Sequence, residues 1–215
     1  MKYRAVIFDL WQTLVPISLD WSRYHQLADA VGAPREEFAE VWLTGRRERE
    51  TGPLLDSVRR VLDDLGINAD PQTIVTLRHD WIREAFVPRE DAVSTLEALR
   101  AEGYKLGLIT VCSDEVPSLW DSTPLGTLFD ATVFSCSEGV SKPDPRIYEL
   151  CCERLGVPPE ACLYVGDGDN DELPGAERVG MTAVQLRAPG EELSEPGKRW
   201  QGKAIERLEE VLELL

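Results

Sequence analysis

A carboxylate, Asp9, directly follows a short apolar run, and a hydroxyl, Thr13, comes four positions later. The run, residues 5–8, is typical of a strand that is buried on both faces of a sheet. An acid at the carboxyl end of such a strand lies where open parallel sheets form their binding crevice. Asp9 could act there as a nucleophile, or it could only cap a turn. The residues that follow the later apolar runs favour the interpretation of Asp9 as a nucleophile.

Three later segments also end in residues that could take part in chemistry. The segment that begins at Lys105 ends at a threonine, the segment 131–134 leads to a lysine, and the segment 162–165 leads to a cluster of acids. These residues are Thr110, Lys142 and the acids Asp167, Asp169, Asp171 and Glu172. The carboxyl ends of neighbouring parallel strands meet at one edge of a sheet, so we expect these groups to converge on Asp9.

The elements that must position these groups fall into two kinds. Residues 17 to about 90 contain four amphipathic segments, predicted as helices over 21–31, 35–49, 54–65 and 71–86. From residue 91 apolar strands alternate with helices, the strands being 105–111, 131–134, 162–165 and 182–186 and the helices 92–101, 145–155, 173–179 and 204–214. The segment 189–198 is predicted as a surface loop.

Alternating strands and helices predict an α/β fold, a Rossmann-like parallel sheet that also contains the first strand. The helical segment then forms an insertion after Asp9. We predict two domains, a core made of residues 1–15 and 91–215 and a helical bundle made of residues 16–90.

Charge and cysteine content limit the partners of the chain. The net charge of −16 argues against nucleic acid or an anionic membrane as a partner. The five cysteines are odd in number and form no CxxC pair, which favours reduced thiols in the cytoplasm. The first apolar run is too short for a signal peptide, and no apolar span of about 20 residues follows. Nothing in the sequence indicates an oligomeric state.

The ordered motifs resemble those of the haloacid dehalogenase superfamily of hydrolases. They are Asp9-x-x-x-Thr13, Thr110 after an apolar strand, Lys142-Pro-x-Pro before a helix, and Gly166-Asp167 followed by further acids. The resemblance covers nearly the whole chain, and the helical insertion is similar to the C1-type cap that many members carry between the first two motifs. It implies that the bundle covers the site.

The resemblance also implies roles for individual residues. Asp9 would be the nucleophile, while Thr110 and Lys142 would hold the phosphoryl oxygens. Mg²⁺ would bind Asp9, a backbone carbonyl near Trp11, Asp167 and a second acid of the cluster. The residues expected to contact the substrate are Trp11, Thr13, Val111 and Arg46.

The second acid of the cluster can be assigned in two registers. Gly-Asp-Gly-x-Asn-Asp matches one form of the fourth family motif and points to Asp171. The tail Leu-Pro-Gly-Ala that follows matches another form and points to Glu172. We prefer Asp171 on the sequence alone and keep Glu172 as the alternative.

Two positions depart from the family pattern. Family phosphatases usually carry a second Asp, an acid and base for the leaving group, where this chain has Trp11. Loss of such help typically costs about 10²–10⁴ in rate. A good leaving group, such as an acyl or anomeric phosphate, would suffer less. The other departure is Val111, where many relatives have Asn.

We therefore expect a Mg²⁺-dependent phosphatase-like hydrolase of a small phosphorylated metabolite. One alternative is a metal-independent 2-haloacid dehalogenase, which resembles this chain in having an aromatic residue at position 11 but lacks an acid equivalent to Asp167. Another is a degenerate member that binds a ligand without turnover. The phosphonate-cleaving branch needs a cap lysine, and residues 17–89 contain none.

Overall fold

In a computed structural model that describes residues 2–17 and 21–215, the apolar runs form the strands of one sheet. In chain order the strands are β1 (Ala5–Phe8), β2 (Lys105–Thr110), β3 (Ala131–Phe134), β4 (Cys162–Gly166), β5 (Thr182–Leu186) and β6 (Ala204–Ile205). All neighbouring pairs are parallel, and the order across the sheet is β3-β2-β1-β4-β5-β6. The predicted α/β parallel-sheet fold is confirmed.

The first strand lies in the middle of the sheet because its side chains are apolar on both sides. Val6 and Phe8 belong to one buried cluster, and Ala5 and Ile7 belong to the cluster on the opposite face. The chain continues to β2 on one side of β1 and later returns to β4 on the other side. This reversal of strand order opens a crevice at the carboxyl end of β1, which is where Asp9 lies.

Six helices accompany the sheet. They are α6 (Ala92–Ala101), α7 (Glu115–Leu119), α8 (Ser135–Glu138), α9 (Pro145–Leu155), α10 (Glu172–Arg178) and α11 (Glu195–Lys198), with 3₁₀ turns at Trp120–Ser122, Pro159–Ala161, Asp169–Asp171 and Leu208–Leu214. Helix α9 begins at Pro145, whose missing N–H costs nothing in the first turn, and the Asp144 side chain accepts from Arg146 N at 2.9 Å.

The described part of the segment between β1 and α6 is largely helical, as predicted. Its helices are α1 (Trp21–Ala30), α2 (Arg35–Thr44), α3 (Arg46–Thr51), α4 (Leu54–Asp64) and α5 (Pro71–Ala85). They enclose a hydrophobic cluster of their own that includes Phe38, Trp42, Leu54 and Ile74. We call this segment the helical insertion, and its bounds as a separate domain, 16–90, stay a prediction.

The structure differs from the sequence-based elements at three places. The predicted helix 35–49 is two helices that meet at Gly45. The predicted helix 204–214 begins instead as the strand β6, which pairs with the open edge of β5, and a 3₁₀ helix follows over Leu208–Leu214. Tertiary pairing overrides helix propensity there. The predicted loop 189–198 ends in the short helix α11. Within the described ranges no helix is long and apolar enough to cross a membrane.

Candidate active site

Asp9 is fixed at the centre of the crevice by the backbone. Its N–H donates to Val165 O at 2.9 Å, which extends the β1–β4 pairing by one residue. The carboxylate is buried, and its Oδ1 accepts a hydrogen bond from Lys142 Nζ. The two residues that were predicted as nucleophile and phosphoryl cation are therefore in direct contact.

Lys142 lies between two carboxylates. Its ammonium donates to Asp9 and, at 2.5 Å, to Glu172 Oε2. It also lies 3.2 Å from the Tyr164 hydroxyl and 3.3 Å from the Ile109 carbonyl oxygen. Burial lowers the pKa of Lys142, but the Asp9 and Glu172 carboxylates raise it more, so the pKa is raised overall and the ammonium stays charged.

Glu172, the first residue of α10, is held by three groups besides the burial around it. Its Oε1 accepts from Gly168 N at 2.9 Å, and its Oε2 accepts from the Tyr164 hydroxyl at 2.7 Å as well as from Lys142. A Cβ at Gly166 would overlap this carboxylate. Glycine at position 166 is therefore what lets Glu172 reach Lys142.

Asp167 completes a cluster of three buried carboxylates. Its Oδ1 accepts from Asp169 N at 3.2 Å, and its backbone carbonyl accepts from Gln185 Nε2 at 2.7 Å. One oxygen from each of Asp9, Asp167 and Glu172 lies within 4.8 Å of the others. Lys142 balances one of these charges, which leaves a surplus of negative charge out of contact with water.

The excess negative charge contributes to raised pKa values at two of these carboxyl groups. Burial, partly offset by Lys142 and reinforced by Glu172, raises the pKa of Asp9 to about 7. Burial, together with Glu172 and Asp9, raises the pKa of Asp167 to about 8. A divalent cation would remove this penalty, and carboxylate oxygens are the ligands that Mg²⁺ prefers. The donor set therefore fits Mg²⁺, with Asp9 and Asp167 as the residues that would hold it.

The acid register is corrected by the structure. Asn170 and Asp171 adopt left-handed backbone conformations, with φ of 55° and 50°, before α10 begins. The Asp171 side chain is 52% exposed and accepts from Arg199 at 3.2 Å. The preference for Asp171 as the second acid of the cluster is wrong. The alternative, Glu172, is the acid that lies beside Asp9 and Asp167.

Two buried threonines have hydroxyls without a hydrogen-bond partner in the described part of the chain. They are Thr110, at the end of β2, and Thr13. An unpaired buried hydroxyl is costly, so each is available to donate to a ligand oxygen. The contact of Thr110 with a phosphoryl group stays a prediction.

A cavity of about 1060 Å³ opens beside the cluster. Asp167 and Val111 line it from the sheet, and Trp42 and Trp81 line it from the helical insertion. Trp11 lines it too, with its ring edge-on to Phe86 at 5.8 Å between centroids. Arg46 lines the cavity but is half-exposed and paired with Glu50, with Asp169 3.7 Å away.

A second arginine, which gave no signal in the sequence, holds the loop after Asp9. Arg89 Nε donates to Thr13 O at 2.7 Å and Nη2 donates to Gln12 O at 2.8 Å. Both Nη atoms also bond Glu191, each at 2.6 Å. Gln12 has a φ of 60°, which non-glycine residues rarely adopt. Arg89 therefore secures a strained turn next to the nucleophile.

Comparison with known proteins identifies the family of the chain. Residues 3–180 match the family described as haloacid dehalogenase-like hydrolase. A glyceraldehyde 3-phosphate phosphatase of Methanopyrus kandleri is 32% identical over 197 residues, 86% of this chain and 84% of the relative. An (S)-2-haloacid dehalogenase of Burkholderia cepacia is 26% identical over 200 residues, 87% and 84% of the two chains.

A solved structure shares the fold. The L-2-haloacid dehalogenase of Xanthobacter autotrophicus, with chloropropionic acid covalently bound, superposes with a TM-score of 0.69 at 18% identity. The match covers 99% of this chain and 98% of the other. Because the family match covers residues 3–180, which include β1 to β4, the crevice and the helical insertion, this chain belongs to the haloacid dehalogenase-like hydrolases.

Proposed function

We propose that the protein is a Mg²⁺-dependent phosphatase-like hydrolase that acts on a small phosphorylated metabolite through Asp9. The observation that carries the proposal is the cluster of three buried carboxylates around one lysine, with the pKa values of Asp9 and Asp167 raised into the neutral range. A further cation beside such a cluster would stabilise its ionised form at neutral pH. A metal-independent hydrolase would not need Asp167 as a metal ligand.

Each residue of the site would have a distinct role in the reaction. An Asp9 oxygen attacks phosphorus, the bond to the leaving oxygen breaks with its electron pair, and water then attacks phosphorus to release phosphate and restore Asp9. Lys142, in contact with Asp9, and the unpaired Thr110 hydroxyl would hold the phosphoryl oxygens. Mg²⁺ held by Asp9 and Asp167 would supply charge neutralisation between the anionic nucleophile and the anionic substrate.

The leaving group is restricted by Trp11. Its indole ring neither donates nor accepts a catalytic proton, so departure depends on the stability of the leaving oxygen itself. We therefore propose that acyl or anomeric phosphates are better substrates than alkyl phosphates. The helical insertion would act as a cap, since its tryptophans and arginines line the same cavity as Asp167.

The phosphatase relative from Methanopyrus kandleri supports a phosphorylated metabolite as substrate. The second candidate is a metal-independent 2-haloacid dehalogenase, which the aromatic residue at position 11 and the relative from Burkholderia cepacia favour. The two candidates use the same nucleophile but differ in the metal and in the product.

One assay separates them. Acetyl phosphate and 2-chloropropionate are each incubated with the protein in Mg²⁺ or in EDTA, with phosphate and chloride as the products measured. We expect phosphate release that EDTA and Asp9→Asn abolish and that the exposed control Asp56→Asn keeps. Chloride release that persists in EDTA would establish the dehalogenase instead. Binding of Mg²⁺ and phosphate without any product would identify a member that binds without turnover.

A further inference from the structure

Three arginines of the helical insertion line the cavity, and two of them have carboxylate partners. Arg46 is paired with Glu50, and Arg78 Nη2 lies 2.5 Å from Glu115 Oε1. Arg49 forms no ion pair with any described residue, and its Nη1 is buried with no hydrogen-bond partner. Glu50 and Glu115 attract its positive charge, but neither forms an ion pair or a hydrogen bond with it.

The guanidinium of Arg49 is fixed in place although it lacks a polar partner. The residue is 6% exposed, and its Cζ lies 4.0 Å from the centroid of the Trp42 ring. Its Nη1 also approaches the backbone between α2 and α3, where a Cβ on Gly45 would lie only 3.1 Å away. The stacked ring and the glycine hold an unpaired cation at the wall of the cavity.

An unpaired buried cation is energetically unfavourable. Burial and the like charge of Arg78 lower the pKa of Arg49 to about 10, so the group remains charged near neutral pH. Each buried N–H without an acceptor forfeits the hydrogen bonds it would form with water. An oxyanion in the cavity would supply both the acceptor and the missing charge.

We propose that Arg49 binds a second anionic group of the substrate, a carboxylate or a phosphate, while the phosphoryl group that is hydrolysed lies at Asp9. Arg49 and Asp167 line the same cavity, which is large enough for one small molecule to reach both. The substrate class is then a small metabolite with two anionic groups. This proposal rests on the proposed function for the position of the first group only.

A competing arrangement would give Arg49 a partner within the protein. Glu115 Oε2 is also buried without a partner, and a changed rotamer that joined it to Arg49 would satisfy both groups. Arg49 would then be structural and would select nothing. The test below gives opposite results for the two arrangements.

The test is binding to the Asp9→Asn variant, in which turnover is blocked, measured by calorimetry in Mg²⁺. The probes share one aryl phosphate and differ in the second group: phenyl phosphate has none, 3-carboxyphenyl phosphate has a carboxylate, and resorcinol bisphosphate has a second phosphate. A charge-assisted hydrogen bond to a buried arginine should favour at least one of the two probes that carry a second anionic group about tenfold or more over phenyl phosphate. The better of the two identifies the second group.

Arg49→Met in the same background should reduce this preference to near unity, while Arg49→Lys should keep part of it. The matched control is Arg47→Met, which removes an exposed arginine of the same helix that does not line the cavity. Equal binding of all three probes, or a preference that survives Arg49→Met, would overturn the proposal. If Arg49→Met does not fold, the preference in the protein that retains Arg49 decides the question.

Failure of this proposal and failure of the proposed function are separate results. A protein that hydrolyses phosphate esters but binds the three probes equally has the proposed function without the Arg49 contact. A protein that hydrolyses none of them but prefers the probes with a second anionic group in an Arg49-dependent way has the anion site without the activity.

Discussion

Lys142 donates to Glu172 at 2.5 Å, and the same ammonium contacts Asp9. If Asp9 is the nucleophile, as proposed, Glu172 acts on it through the lysine that it positions. Glu172→Gln keeps the shape but removes the charge that holds Lys142. We expect kcat/KM to fall about 10–100-fold, or about 1.4–2.8 kcal/mol of transition-state stabilisation.

The neighbouring acid provides the matched control for that prediction. Asp171→Asn changes an exposed carboxylate that is paired with Arg199, so we expect activity within about twofold of the unmodified protein. Acetyl phosphate turnover in Mg²⁺ is the measurement for both variants. A larger loss in Asp171→Asn than in Glu172→Gln would restore the register that we preferred from the sequence.

The pKa values of Asp9 and Asp167 predict how stability depends on pH in EDTA. In the folded protein the pKa of Asp9 is about 7 and the pKa of Asp167 is about 8, against an ordinary value of 3.8. The folded state therefore binds protons more tightly than the unfolded state. The contribution of these two carboxyl groups to the free energy of unfolding is therefore present at low pH and is lost as the pH rises from about 4 to about 8. Each group can lose up to about 1.4 kcal/mol per pH unit.

Thermal unfolding between about pH 5 and pH 8 measures this effect. In EDTA we expect the melting temperature to fall with rising pH, by about 2–4 °C per kcal/mol for a chain of this length. Mg²⁺ should stabilise more at the upper end, and Asp167→Asn should flatten both trends. A melting temperature in EDTA that rises over this range, or a Mg²⁺ effect that is independent of pH, would contradict the prediction.

Arg89→Met tests the turn after the nucleophile. The variant loses hydrogen bonds to the carbonyls of Gln12 and Thr13 and leaves the partly buried Glu191 without its partner. We expect the free energy of unfolding to fall by about 2–4 kcal/mol and kcat to fall as well. Urea unfolding measures the first quantity and acetyl phosphate turnover measures the second.

Arg83→Met is the control for Arg89→Met. Arg83 pairs with Asp80 on an exposed surface, so its removal should change the free energy of unfolding by less than about 0.5 kcal/mol. Equal effects of the two variants would mean that the Arg89 contacts do not stabilise the turn.

Trp11→Asp tests the missing proton donor. A carboxylic acid at position 11 should raise turnover of alkyl phosphates by about 10²–10⁴ while changing turnover of acetyl phosphate little, because only the alkyl leaving group needs a proton. The ratio of the two rates is the measurement, which makes it insensitive to loss of folded protein. Trp11→Phe, which keeps the edge contact with Phe86, is the control and should leave the ratio unchanged. An unchanged ratio in Trp11→Asp would mean that position 11 does not face the leaving group.

The sheet and the position of Asp9 were predictable because both depend on local patterns. Apolar runs marked β1 to β5, and the side chains at their carboxyl ends converge as the topology requires. Strand β6 was not predictable, since two residues form it only by pairing with β5. The boundary at Gly45 depends on close contact with the Arg49 side chain, which no local pattern reveals.

The type of site could be predicted from the sequence, but the full set of residues that form it could not. Which acid joins Asp9 is decided by two residues with positive φ, Asn170 and Asp171, and their conformation depends on the surrounding packing. Tyr164 reads as an ordinary core residue of β4, although its hydroxyl bonds Glu172. Arg89 and Arg49 look like surface arginines in the sequence, and only their burial and their partners distinguish them.

The central position of β1 has a consequence for the chain as it is synthesised. Ala5 pairs with Lys105 on one side and Cys162 on the other, so β1 has no neighbours in the sheet until these later segments have emerged. Asp9, the proposed nucleophile, is therefore translated well before Lys142, Asp167 and Glu172. A nascent or truncated polypeptide that ends before β4 contains Asp9 but cannot assemble a reactive centre around it.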